Sequence, residues 1–199
     1  MDANDAADFM DKEKESDTFK RNAAIVISIF AMLLAITGLG GGNATKEALN
    51  ENILAANDFN FYQAKNVRQT SLILAANEIE LAWSADSSLT DEAKSALKKK
   101  LDDYRKTIAR YESEPDTGEG KKELLTRARQ HSAARDRALK QDPYFDYSEA
   151  LLQIAIVLIS VSIVAELLWL ALIGGGLGLI GGLLMVNGYL LLVEIPGLS

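Results

Sequence analysis

The sequence predicts an all-α integral membrane protein: three transmembrane helices, with an extramembrane helical bundle or coiled-coil hairpin between the first and the second. Three observations predict it. Residues 22–42 and 149–193 hold only two charges, Glu149 and Glu166. Residues 43–148 hold 17 Lys+Arg and 18 Asp+Glu, so the middle of the chain is charged but almost neutral. Residues 44–83 contain neither Pro nor Gly and are rich in Ala, Leu, Glu and Gln, which favour helix.

The chain opens on a tail, 1–21, with seven acids and four bases, expected to be disordered. Asn22–Gly42 reads NAAIVISIFAMLLAITGLGGG. A bilayer core of roughly 30 Å needs about 20 apolar residues at 1.5 Å each, and this segment meets that length as the first span. Lys20 and Arg21 mark its start and a glycine run its end. The long acidic tail before it argues for an uncleaved anchor rather than a signal peptide.

The middle region, 43–147, reads as three helices at about 44–83, 91–112 and 118–141. The first is a candidate to continue the span, and the polar stretch 84–88 breaks it. Thr90 is placed to cap the second helix, in which Leu97, Leu101, Tyr104, Ile108 and Tyr111 step by 4, 3, 4 and 3. That is the seam of a helix lying along a helix. Phe59, Phe61 and Tyr62 are expected to meet its tyrosines. Pro115 and two glycines make 113–120 a turn. Asp116 or Thr117 caps the third helix, and Pro143 stops it.

Leu151–Val193 carries one charge, Glu166, and is too long for a single span. A charge in a lipid-facing helix centre costs about 2.5–3.5 kcal/mol on insertion scales, so Glu166 marks a turn. That gives spans at 148–165 and 168–193, with a turn at Gly174–Gly176 as the alternative. Tyr144, Phe145, Tyr147 and Trp169 suit the membrane interface. Lys20 and Arg21 favour a cytoplasmic N-terminus and an extracytoplasmic helical domain.

Composition excludes several chemistries. The chain has no Cys and one His, so thiolate sites, disulfides and multi-histidine metal centres are absent. The net charge of −7 and the lack of a basic patch exclude a nucleic-acid partner. No cofactor or catalytic residue is read from the sequence. G-x-G-x-x-G at Gly176, Gly178 and Gly181 lies in an apolar run without a βαβ unit, so it is no dinucleotide site. TGEGKK at 117–122 fails the spacing of a phosphate loop. His131 reads as a packed or surface residue. Glu78/Glu80 and Glu112/Glu114 fall on different helix faces, unsuited to joint acid–base work.

The readings that remain concern packing. Gly174, Gly178 and Gly182 are four apart, a face on which membrane helices approach closely; Ala31 and Ala35 belong to a small-residue stripe on the first span. Asn43, Asn50 and Asn57 are seven apart. They form either a solvated stripe or a seam of amides fixing oligomer state. Glu166 and Asn187 are the strongly polar residues within or beside the closing spans, where such groups mark ion paths.

Three strings, LLAITGLGGGNATKEAL at 33–49, ARYESEPDTGEGKKELL at 109–125 and QDPYFDYSEALLQIAIVL at 141–158, resemble a family of bacterial membrane proteins catalogued only as a domain of unknown function. The resemblance covers nearly the whole chain beyond the tail. It implies one span, a helical region and two closing spans, in a bacterial inner membrane. It implies no activity and no catalytic residue. The functional expectation is a non-enzymatic membrane scaffold or accessory protein, as a homo-oligomer or with a membrane-protein partner. The alternative is a subunit of a small oligomeric channel or transporter.

Overall fold

The structure, a computed structural model, describes residues 3–85 and 89–196. The described residues form four helices: α1, Ala3–Ala85; α2, Asp91–Glu112; α3, Lys121–Ala165; α4, Leu168–Leu190. Three helices, α1, α3 and α4, are long and apolar enough to cross a membrane. The chain divides into two units, one made of Met1–Ala48 with Asp136–Ser199, the other of Leu49–Arg135.

Helix α2 has the bounds its pattern predicts, and the Thr90 side chain accepts a hydrogen bond from the Ala93 N–H. The turn between α3 and α4 falls at Glu166, so Gly174–Gly176 lies inside α4. Several helix boundaries differ from that reading. Helix α1 starts at Ala3, within the stretch read as a disordered tail; residues 1 and 2 lie outside the described residues, as do 86–88 of the break at 84–88. Gly40–Gly42, read as the end of the first span, does not interrupt helix α1, which runs on through 44–83. Each glycine costs a helix roughly 1 kcal/mol relative to Ala, but Gly40 and Gly41 make room for the Phe145 ring.

Nor does Pro143 stop the third helix, which continues to Ala165. A mid-helix proline costs about 3 kcal/mol. The next two residues, Tyr144 and Phe145, are buried, and packing on the C-terminal side of the proline holds the helix together. The third helix begins at Lys121, without Asp116 or Thr117 as cap. Instead the Gly120 carbonyl accepts from Leu124 N–H, and the Glu123 carboxylate accepts from the Ser113 hydroxyl (2.6 Å) and the Glu114 N–H (3.1 Å).

In the first unit α1, α3 and α4 pack around Ala23, Phe30, Leu152, Ala155 and Ile159. Helix α3 runs antiparallel to α4, since Ser148 meets Gly181 while Ile159 meets Gly174. In the second unit α2 and then α3 run antiparallel to α1, end to end along it. Arg105 pairs with Glu80 and Glu112 with Gln69; beyond the turn, Lys121 reaches Asn66, Arg127 reaches Asp58 and His131 reaches Glu51. This is a hairpin whose second strand is broken once, and not a three-helix bundle.

Candidate functional sites

In the first unit the buried residues of α4 are four glycines: Gly174, Gly178, Gly181 and Gly188. A β-carbon on Gly174 would stand 2.8 Å from Ile159 Cγ1 and 3.0 Å from the Ala155 carbonyl oxygen. One on Gly181 would meet Leu152 Cγ at 3.1 Å, and one on Gly188 the Phe145 ring at 3.0 Å. One on Gly178 would fall onto the Phe30 ring. The glycines therefore serve two partners. Gly174, Gly181 and Gly188, seven apart, face α3, and Gly178 faces α1. A β-carbon on Gly182 would stand 3.5 Å from Leu33 Cδ1, an ordinary contact distance. Sequence reasoning missed Gly188 and read Gly181 only within a dinucleotide string; the seven-residue step was the available signal.

Ala31 and Ala35 are exposed and do not join this packing. The inward residues of α1 are Ala23, Phe30, Thr37 and Ala44, again seven apart. Apolar residues all round the helix hide that period from the sequence. Between the helices sits a fully buried polar node. Ser148 donates to the Gly181 carbonyl at 2.7 Å and lies 3.3 Å from Thr37, both hydroxyls fully buried.

Glu166 and Asn187 stand at opposite ends of α4, about 30 Å apart at 1.5 Å per residue, and the structure does not bring them together. Glu166 is exposed at the turn, in the left-handed region at φ 56. Asn187 folds the chain back after the helix. Its amide donates to the Val193 carbonyl (2.8 Å) and accepts from the Val193 N–H (3.0 Å). Tyr144 donates its hydroxyl to the same carbonyl at 3.1 Å and accepts from Ile195 N–H at 2.9 Å. Lys140 pairs with Glu194 at 2.7 Å. That hydrogen bond raises Lys140 above the usual lysine range and holds Glu194 below the usual carboxylate range.

The second unit carries the larger polar constellation. Along α1 the residues turned inward are at 51, 55, 58, 62, 65, 69, 72, 76, 79 and 83, alternating steps of 4 and 3. Four of them are Glu51, Asp58, Lys65 and Gln69, which is why an apolar search finds no seam there. Each is answered. His131 Nδ1 lies 2.6 Å from Glu51 Oε2, and its Nε2 3.9 Å from Asp58. Arg127 grips both oxygens of Asp58, at 3.2 and 2.8 Å. The hydrogen bond to Asp58 raises the Arg127 pKa further.

Lys65 is buried between the rings of Phe61 and Tyr111, 5.1 and 5.6 Å from their centres, with Glu114 and Glu119 at 3.8 and 3.6 Å. Gln69 donates to the Ile108 carbonyl and to Glu112, and accepts from Lys121 at 2.6 Å. The Gln69 and Lys121 hydrogen bonds lower the Glu112 pKa, as those from Ser113 and the Glu114 N–H lower that of Glu123. Chemically this is a set of interlocked charge pairs that fixes the register of α2 and α3 on α1. Asn43, Asn50 and Asn57 lie off the seam and are exposed. Among the described residues no group of three His, Asp or Glu is placed to hold a metal ion.

The sequence family described as Domain of unknown function (DUF4337) matches residues 19–191. No curated protein and no solved structure matches the chain.

Proposed function

We propose a function for this chain, which belongs to the DUF4337 family, from the way its surfaces are distributed: it is a membrane-anchored helical scaffold or accessory protein without catalytic activity. One observation carries the reading. The first unit is apolar outside as well as inside, which a protein in water is not. Its interior is apolar, with Phe30, Leu152, Ala155 and Ile159 beside the α4 glycines and two hydroxyls, Ser148 and Thr37, yet Ile25, Met32, Leu39, Val157, Leu172 and Leu183 also point outward. Continuous apolar surface of that extent marks a lipid or protein contact, and α1, α3 and α4 each have the length of a span. The charges of the second unit pair with one another as α1 and α2–α3 lie together in coiled-coil fashion, which suits a rigid arm.

The protein sits in a bacterial inner membrane as a multi-pass anchor. The N-terminus is cytoplasmic, by Lys20 and Arg21 beside the first span, and the helical arm is extracytoplasmic. The partners are the bilayer and either a second copy or another membrane protein. Purification from native membranes in mild detergent, with size measurement and partner identification, tests this. A stable complex is the expected result. Release of the intact chain by carbonate, or a strict monomer that captures nothing, overturns it.

A further inference from the structure

We propose that the outward face of α1 in the second unit docks a second copy of this chain, the two α1 helices running parallel. The proposal rests on the scaffold reading and names its partner. Position 53 follows the inward position 51 by about 200° of helix rotation, so it points away from α2 and α3. Ile53, Val67, Leu74 and Leu81 share that register and are 58–67% exposed. At the one remaining position in the series stands Asn60, also exposed. The residues flanking this line at 56, 57, 63, 64, 70, 71 and 77 are Ala, Asn, Gln, Thr or Ser. In a unit dense with charge, the one charge in this series of positions is Glu78, which follows 77 at the far end beside Leu81.

The pattern selects its occupant. Large aliphatics every seven residues, interrupted by one Asn, supply one of the two core positions of a parallel helix pair, and Ala56, Gln63, Thr70 and Asn77 stand at the other, small or uncharged. An apolar partner at that level would leave the Asn60 amide unpaired, which is costly once water is excluded. A second Asn60 across a two-fold axis answers it donor to acceptor. A lipid surface would strand Asn60, Gln63 and Asn77 together. From 53 to 77 the face meets its own copy without like-charge repulsion and offers an acidic or basic partner nothing to pair with, and only at Glu78 do two parallel copies bring like charges near one another. Two copies anchored in one membrane in one orientation also place equal residue numbers side by side. Asn50 and Asn57 border the line, which gives the asparagine stripe a place at the edge of the contact.

The chain has no Cys, so single cysteines report contacts cleanly. Asn60→Cys and Leu74→Cys, each in the full chain in its own membrane under a mild oxidant, are expected to give disulfide-linked dimers. Arg129→Cys, on an exposed position of α3, is expected to give none. Leu74→Glu, at a site exposed in the single chain, is expected to keep helix content and lower dimer yield tenfold or more, about 1.4 kcal/mol. Cross-linking at 60 and 74 no greater than at 129, or a Leu74→Glu dimer of unchanged yield, overturns the proposal. Retention in carbonate-washed membranes and capture of another membrane protein would then leave the scaffold reading standing, whereas loss of both would end it as well.

Discussion

Arg127 holds Asp58 through a two-pronged hydrogen bond, Nε to one carboxylate oxygen at 3.2 Å and Nη2 to the other at 2.8 Å. The pair joins α3 to α1 across 69 residues of sequence. Asp58 is largely buried, at 15% side-chain exposure, and Arg127 is 44% exposed. Removing the arginine leaves a sheltered carboxylate without its donor. After discounting for solvent screening at the arginine, Arg127→Ala is expected to destabilise the second unit by about 1–2 kcal/mol. Arg127→Lys restores less than half, because an ammonium cannot serve both oxygens. Amide exchange over 51–62 and 121–135 reads the effect; equal protection in wild type and Arg127→Ala would refute it.

Gly178 and Phe30 make a second, steric prediction. Gly178→Leu places side-chain atoms where the ring stands, and overpacking of this kind costs about 1–3 kcal/mol or more. Gly175 and Gly176 have open space around their α-carbons, so Gly176→Leu should change thermal stability in detergent little. Phe30→Ala combined with Gly178→Leu should recover part of the loss, a coupling that a double-mutant cycle measures. Equal losses for Gly176→Leu and Gly178→Leu would show that the contact does not govern packing.

The legibility of this chain divides between its charged and its apolar segments. Helix α2 shows its cap at Thr90 and its seam at Leu101 because an apolar stripe on a polar helix has contrast. The turn at Glu166 was legible because one charge in an apolar run has few permitted places. Contrast failed elsewhere. In α1 the stretch 22–42 is apolar all round, so the inward set through Phe30 and Thr37 could not be told from Ala31 and Ala35. Farther along, the inward set includes Glu51, Asp58 and Lys65, which read as solvated until their partners are seen 50 to 80 residues away. Pro143 and Gly40–Gly42 misled because local propensity is weak against the packing of Phe145.

Glu166 offers a test of backbone strain. A non-glycine residue at φ 56 costs roughly 1–2 kcal/mol in the left-handed region, and glycine does not. Glu166→Gly is therefore expected to be neutral or slightly stabilising, within about 1 kcal/mol, while a β-branched Glu166→Val destabilises. The glycine variant also addresses the channel alternative. Ion flux in proteoliposomes that is present in the wild type and lost in Glu166→Gly at unchanged stability would favour it over the scaffold.

The folded-back C-terminus should respond to pH at both extremes, with signs fixed by Lys140 and Glu194. Glu194 is held below its usual value of 4.5 by the hydrogen bond from Lys140. Its contribution is present above the unfolded value and is lost as pH falls through the lower folded one. Lys140 is raised above 10.5 by the same bond. Its contribution is complete below 10.5 and disappears as pH rises through the raised value. Between these limits the pair closes residues 191–196 over α3, with Tyr144 and Asn187 bonding Val193. Proteolysis of the C-terminal segment is therefore expected to be slow near neutrality and faster on acidifying below about pH 4. Lys140→Ala should flatten the acid limb, since Glu194 then loses its donor in the folded state. Tyr144→Phe should raise cleavage at every pH without moving the limb, because the phenol acts on Val193 and Ile195 and not on the ion pair. An acid limb that survives in Lys140→Ala would assign it to other carboxylates.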